Sequence, residues 1–376
     1  MSNIILIKIH PGSFEQGFSV TVEIGEAGRS PHHTLTGELP QAPALEPAYR
    51  QWIGCYRRWL QSDLLGRGSR IIVVDQVLNV SKIQDCRDAA TAFEGQLLSW
   101  LDQPAVLRLQ MQIHRVAKQP AQVVLQTDDL LLQRFPWELW SLLDDDDNKF
   151  DFAVSHTPKI LVKPSFQAPV KILAVLGNSD QINAQADLQW LDKLPQAEVT
   201  LLKQPKRQIF NEALRDQSWG ILFFAGHSSG DAGGQIGLND TDALSFSELS
   251  RGLKQAVQNG LTLAILNSCD GMELAQQLGQ AQLPYAVVMR ELVPDDVAQL
   301  FLGYFLSALG KGEPLPRAMR TAREQLKEGV EHEFPCASWL PVLCQNAAAP
   351  ELRWQPRGAG WVSVGSPRLP LRLRQH

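Results

Sequence analysis

Two short apolar runs restrict the fold more than any other feature of this chain. Trp219 to Ala225 reads Trp-Gly-Ile-Leu-Phe-Phe-Ala, and Leu261 to Leu266 reads Leu-Thr-Leu-Ala-Ile-Leu. Neither run alternates apolar with polar residues, so each predicts a strand buried on both faces, as in a parallel sheet covered by helices. The first run passes into Gly226-His227-Ser228-Ser229-Gly230 and the second into Asn267-Ser268-Cys269-Asp270-Gly271. If the two strands are neighbours, a histidine and a cysteine leave the sheet side by side at one edge. Open α/β sheets place their ligands at that edge.

The surrounding pattern supports such a sheet. Lys171 to Leu176, Trp219 to Ala225, Leu261 to Leu266 and Ala286 to Met289 read as strands. Between them Pro205 to Gln217 carries a helical stripe (Ile209, Ala213, Leu214), and Ser245-x-x-Glu248 is a capping box opening another helix that Asn259-Gly260 stops. Asp295 and Asp296 favour the N-terminus of a helix running to Gly310, and a further helix covers about 314–327. Strands and helices in alternation predict an α/β fold with a mostly parallel sheet flanked by helices. Ahead of it, residues 3–9 and 17–24 alternate as a β-hairpin. Residues 47–61 space Tyr49, Trp52, Tyr56 and Trp59 helically, residues 82–117 read as two helices around Pro104, and 121–126 reads as a strand. This first part is a small α+β unit without a chemical motif, and its aromatic stripe reads as core. Asp144 to Asp147 read as a solvated acidic loop.

Charge and cysteine usage narrow the function. The net charge of −5 argues against binding phosphate backbones, so no nucleic-acid partner is expected. The five cysteines (Cys55, Cys86, Cys269, Cys336, Cys344) are odd in number, far apart and free of any CxxC pair. That pattern fits neither a disulfide framework nor a structural zinc site, so no metal or cofactor is expected and a reducing compartment is. Ile4 to Ile9, broken by Lys8, is too short for a signal-peptide core. No run approaches the roughly 20 apolar residues of a membrane helix. The expectation is a cytoplasmic protein without a transmembrane segment.

Two nucleophiles compete. Gly226-His227-Ser228-Ser229-Gly230 fits the G-x-S-x-G elbow of serine hydrolases, which requires a helix directly after the pentapeptide. Asp231 to Asp240 holds three glycines and several turn residues, which predicts a loop or hairpin there. The elbow also needs an acid and then a histidine downstream, and only His332 and His376 are available. Cys269 fares better. A thiolate needs a nearby base and backbone donors for an oxyanion. His227 and Cys269 sit in matched strand-end contexts with flanking glycines.

With these residues in view, the chain resembles the caspase-like cysteine peptidases of clan CD, and more specifically a CHAT domain of bacterial, notably cyanobacterial, type. Phe135-Pro136-Trp137-Glu138-Leu139 resembles the "PWE" segment of that domain. The runs Ala298–Leu309 and Glu313–Leu326 resemble the two helices after its catalytic strand, and Pro335 to Trp339 resembles its late Pro-x-x-x-Trp strand. The resemblance divides the chain into an N-terminal α+β unit (1–119), a caspase-like domain (120–349) and a Pro/Arg-rich tail (350–376) expected to be disordered. It implies a cysteine endopeptidase acting on protein or peptide substrates, regulated by a signal, a protein partner or a sensor module. His227 would be general base and acid, and Cys269 the nucleophile. The backbone N–H groups of Ser228 and Cys269 would form the oxyanion hole, with Ser228 standing where the family usually has glycine. Asn267 matches a position of the first specificity pocket, where an acid favours basic side chains; here it is neutral. Asp270 beside the nucleophile would oppose a thiolate unless it points into that pocket. Ser338 and Trp339 would line the groove in which an extended peptide adds as a strand. A non-catalytic caspase-like scaffold that binds partners, and a Ser228-dependent hydrolase, are the alternatives.

Overall fold

The computed structural model describes residues 3–64, 83–117, 120–145, 148–155, 166–178, 184–226, 228–229, 234–267 and 271–355, with backbone alone at 62–64, 144–145, 148–149, 184–185 and 228–229. In chain order the first half runs β1 (Asn3–Ile9), β2 (Phe18–Glu26), β3 (His33–Leu39), α1 (Leu45–Leu64), α2 (Ile83–Leu101), α3 (Pro104–Val116), β4 (Ala121–Gln126), α4 (Leu130–Gln133), β5 (Asp144–Asp145), β6 (Asn148–Lys149) and β7 (Asp151–Ser155). The second half runs β8 (Val170–Leu176), α5 (Ala184–Leu191), β9 (Ala197–Lys203), α6 (Arg207–Asp216), β10 (Ile221–Ala225), β11 (Ser228–Ser229), β12 (Gln235–Gly237), β13 (Ala243–Ser245), α7 (Phe246–Gln258), β14 (Leu263–Asn267), α8 (Gly271–Gln280), β15 (Tyr285–Met289), α9 (Asp295–Gly310), α10 (Leu315–Gly329) and β16 (Pro341–Gln345).

Eleven of these strands form one sheet in the order β3-β2-β1-β4-β7-β16-β15-β14-β10-β8-β9. Within it β9, β8, β10, β14 and β15 are all parallel. β16 closes this set antiparallel, from Met289↔Pro341 to Tyr285↔Gln345. Successive residues of the fully buried strands face opposite sides, so each strand feeds two cores. Leu222, Phe224 and Leu266 face a core shared with Leu214, Leu253 and Leu278 of α6, α7 and α8. Ile221, Phe223 and Ile265 face a second core with Leu191, Phe301, Phe305 and Met319 of α5, α9 and α10. The expected α/β architecture with a mostly parallel sheet between helices is what the chain forms.

Some local expectations need correction. β3, β7 and β9 escape the sequence pattern, because β3 carries Gly37 among polar residues and β9 exposes Leu201 at the sheet edge. The late strand begins at Pro341, after the expected Pro-x-x-x-Trp segment. Cys336 turns the chain through a left-handed conformation (φ 62°), and Ala337–Trp339 form a 3-10 turn. The acidic run 144–147 enters a short β5–β6 ladder, with 146 and 147 outside the described residues. The first residues of the expected tail are packed. Leu352 and Trp354 are buried, with Trp354 against Phe166 at 5.0 Å between ring centroids, and 356–376 lie outside the described residues. Among the described residues no helix is long and apolar enough to cross a membrane.

Candidate active site

The site begins with a register. β10 and β14 are adjacent and parallel, pairing Ile221↔Leu263 through Ala225↔Asn267, their last residues. His227 follows Ala225 by two positions and Cys269 follows Asn267 by two. Both residues, together with Asp270, lie outside the described residues, and Ser228 is described by its backbone alone. The sequence therefore delivers the histidine and the cysteine from the same level of neighbouring strands.

The segment after the histidine settles into β structure. Ser228↔Ile236 and Ser229↔Gln235 pair antiparallel, and β12 pairs on with β13. The turn residues predict a loop or hairpin here, and the described residues form this three-stranded sheet in the stretch where a serine elbow requires a helix. β13 ends at Ser245, whose hydroxyl caps α7 by accepting from the Glu248 N–H, while the Glu248 carboxylate accepts from the Ser245 N–H at 3.0 Å.

Asn267 is buried at the end of β14, on the face that Leu263 and Ile265 give to α5 and α9. Its Nδ2 donates to Oδ2 of Asp187 at 3.3 Å. Asp187 is fully buried in the first turn of α5, so a carboxyl group stands beside Asn267. Sequence reading missed Asp187 because α5 offers only one short helical stripe; the polar residue at an otherwise apolar strand position was the available signal.

β15 lies next to β14 and ends one residue before Arg290. Arg290 is fully buried. Its backbone N–H donates to Leu340 O at 2.7 Å, its Nη1 donates to Trp339 O, and its Nη2 donates to both oxygens of Glu138 at 3.1 and 3.2 Å. Arg323 of α10 donates to the same Glu138 at 3.0 Å. The next residue, Glu291, accepts from Arg57 of α1 (2.6 and 3.0 Å) and from Arg134 (3.0 Å), and Tyr56 donates to Leu292 O at 2.7 Å. The three residues after β15 are thus fixed by α1, by the segment around Trp137-Glu138 and by α10. Buried charges of this kind persist only when paired and hydrogen-bonded, as these are.

Ser338 and Trp339 are buried at the same end of β15, and the Trp339 ring stands edge-on to Trp52 of α1 at 5.0 Å. Both line a cavity of about 150 Å³ with Glu138, Arg320, Arg323 and Lys327 on its polar side and Phe150 and Phe152 on its apolar side. Asp151 lies against it, 3.2 Å from Arg320 and 3.5 Å from Arg317. Burial pushes the Asp151 carboxyl above its ordinary value, opposed by Arg320 and Arg317. No cluster suited to a metal ion occurs among the described residues.

Comparison with known proteins bears on the family and the fold. A family model described as the CHAT domain matches residues 91–364. No curated protein matches the sequence. Among solved structures, the chain is similar to separase in two crystal structures of the Saccharomyces cerevisiae separase–securin complex. They give TM-scores of 0.51 and 0.52 at 12% and 11% identity and cover 93% and 94% of this chain. The chain spans 30% of the separase chain. A complex of the pro- and mature domains of Porphyromonas gingivalis RgpB matches at a TM-score of 0.42 and 9% identity, over 80% of this chain and 77% of that one.

Proposed function

The chain belongs to the CHAT-domain family and has a caspase-like fold, and on that premise we propose that it is a cysteine endopeptidase working through His227 and Cys269. One observation carries the reading: Ala225 and Asn267 are register partners at the ends of adjacent parallel strands, and the two reactive side chains follow each by two residues. In this mechanism the Cys269 thiol passes its proton to the His227 imidazole, and the sulfur attacks the carbonyl carbon of the scissile peptide bond. The backbone N–H groups of Ser228 and Cys269 receive the oxyanion. As the C–N bond breaks, the imidazolium returns its proton to the departing amine. Water then gives a proton to His227 and attacks the thioester, and the carboxylic acid leaves as the thiol re-forms.

The substrate reading follows from the strand end. Asp187 sets a carboxyl group beside the neutral Asn267, and a carboxyl at that strand end supports an Arg or Lys side chain immediately before the cut.

The test is digestion of a proteome-derived peptide library by the wild type and three variants. Cys269→Ala should reduce cleavage to background, and His227→Ala should lower it about 10²- to 10⁴-fold. Ser228→Ala should weaken it only slightly, since that residue contributes its backbone. Cleavage that survives Cys269→Ala and dies in Ser228→Ala would transfer the reaction to the serine. A wild type that cleaves nothing leaves the scaffold reading in possession.

A further inference from the structure

We infer that Asn239 is a positioning residue for His227: its side chain ties the β12–β13 turn to the segment after β9, and the hairpin held in this way fixes the strand that starts one residue after the histidine. The inference rests on the peptidase reading and adds to it a residue on which the histidine depends. Three observations support it.

The first is the turn. The connection between β12 and β13 reads Leu238-Asn239-Asp240-Thr241-Asp242. An Asn side chain favours a turn by bonding the backbone two residues on, and Asn239 does so. Its Oδ1 accepts from the Thr241 N–H at 2.9 Å, from the Asp242 N–H at 2.8 Å and from the Thr241 hydroxyl at 3.0 Å. The Leu238 and Asn239 N–H groups donate to Asp242 O at 2.8 and 3.2 Å. Asn239 Nδ2 then donates outside the hairpin, to Pro205 O at 2.8 Å. An amide can do both; a carboxylate of the same shape only accepts, and a methyl group does neither.

The second is the anchor. Pro205 is buried just after β9. The Gln204 N–H before it donates to Leu176 O, at the end of β8, at 2.7 Å. The hairpin's own apolar residues, Ile236, Leu238 and Leu244, are buried in the core that also holds Phe224 of β10. Tether and core together give β12 one position relative to the sheet.

The third is the path to the histidine. His227 lies in sequence between two points that both lead to β12. Before it, Ala225 O accepts from the Gly177 N–H at 2.8 Å, and the neighbouring Asn178 N–H donates to Gly237 O at 3.0 Å. A Cβ at Gly177 would run into Gly237 O, so the two backbones touch. After it, Ser228 pairs with Ile236 and Ser229 with Gln235. A shift of β12 therefore moves both flanks of the histidine, and misplacing a catalytic group by about 1 Å can cost about 10²-fold in rate.

Asn239→Ala and Asn239→Asp test the inference. Both remove the bond to Pro205 O, and Asn239→Asp keeps an acceptor for the turn. On the best library peptide each variant should lower kcat about ten- to a hundredfold, with KM within about twofold, and move the acid limb of the kcat–pH profile. A second measurement needs no cleavage. In protein carrying isotope-labelled histidine, the His227 ring signal is the one lost in His227→Gln. Its chemical shift and titration midpoint should move in both Asn239 variants, while the signals of the other histidines stay. Asn239→Ala adds no charge, so movement there reports position. Cleavage with kcat and the His227 signal unchanged in Asn239→Ala overturns the inference and leaves the peptidase standing. A loss confined to KM, or a fall in kcat with an unmoved His227 signal, overturns it equally. A wild type that cleaves nothing, while the His227 signal moves in both variants, overturns the peptidase and keeps the tether. No cleavage and an unmoved signal overturn both.

Discussion

Four of the five cysteines, Cys55, Cys86, Cys336 and Cys344, are buried free thiols. Burial pushes both Cys86 and Cys344 up to about 12. Cys336 is raised as well, by burial first and then by Cys86 and Glu331. The direction fixes two outcomes. A thiol whose folded pKa is raised stabilises the fold below the unfolded value of 9, and that contribution is lost as pH climbs towards 12. At pH 8 a thiol with a pKa near 12 is about 10⁻⁴ ionised, and only the thiolate alkylates. Native protein treated with iodoacetamide at pH 8 should therefore leave Cys86, Cys336 and Cys344 unmodified by peptide mass mapping, while Cys269 is carboxamidomethylated. Denaturant should expose all of them equally. Modification of Cys86 or Cys344 at a rate matching Cys269 would show that burial does not hold these thiols in the unreactive form.

At the scale of elements, helix α8 starts at Gly271, directly after the Asp270 that follows the cysteine. A Cβ at Gly271 would stand 2.7 Å from Cβ of Val288 and 3.2 Å from the backbone N of Met289. The close packing of α8 on β15 thus depends on a missing side chain. Alanine favours a helix over glycine by about 0.5–1 kcal/mol, but overpacking costs about 1–3 kcal/mol, so the second effect prevails. Gly271→Ala should lower the denaturation midpoint and the rate of peptide cleavage together. Gly95→Ala in α2, where a Cβ meets nothing within 4 Å, should raise the midpoint without touching cleavage. Equal midpoints for the two variants would show that α8 yields freely. The same element scale shows how far the sequence was legible. Strands buried on both faces, such as β10 and β14, announce themselves by unbroken apolar runs, and α7 by its capping box. Edge strands such as β3 and β9 carry a polar face and a weaker signal. The strand ends carrying the histidine and the cysteine were readable because their contexts match. The Arg290–Glu138–Arg323 cluster was not, since its members are 138, 290 and 323 in sequence and meet only through the sheet order. Single charged residues in apolar surroundings give no periodic signal.

At the scale of the molecule, the decisive fact is that one core runs through both halves. Ile5, Val20 and Val22 of the N-terminal hairpin belong to the same buried cluster as Trp100 and Leu109, and also as Leu222, Leu266 and Val288 of the C-terminal half. Helix α1 reinforces the join from the other direction. Its Trp52 lies in that cluster against Trp339, whereas its Tyr56, Trp59 and Leu60 lie in the cluster on the opposite face of the sheet. Separating residues 1–119 from the remainder would uncover both faces at once and break the Arg57–Glu291 pair. Chains of this length often unfold in stages, domain by domain. Here the shared core predicts one cooperative transition. Far-ultraviolet circular dichroism and tryptophan fluorescence should give coincident urea curves, and the calorimetric and van't Hoff enthalpies should agree. The tryptophans sample both halves, with Trp52, Trp59 and Trp100 in the first and Trp219 and Trp339 in the second. A stage in which the N-terminal tryptophans respond before the helical signal falls would show that α1 can leave the sheet while the caspase-like half stays folded. The grip of α1 on the residues after β15 would then be a reversible contact instead of a permanent part of the site.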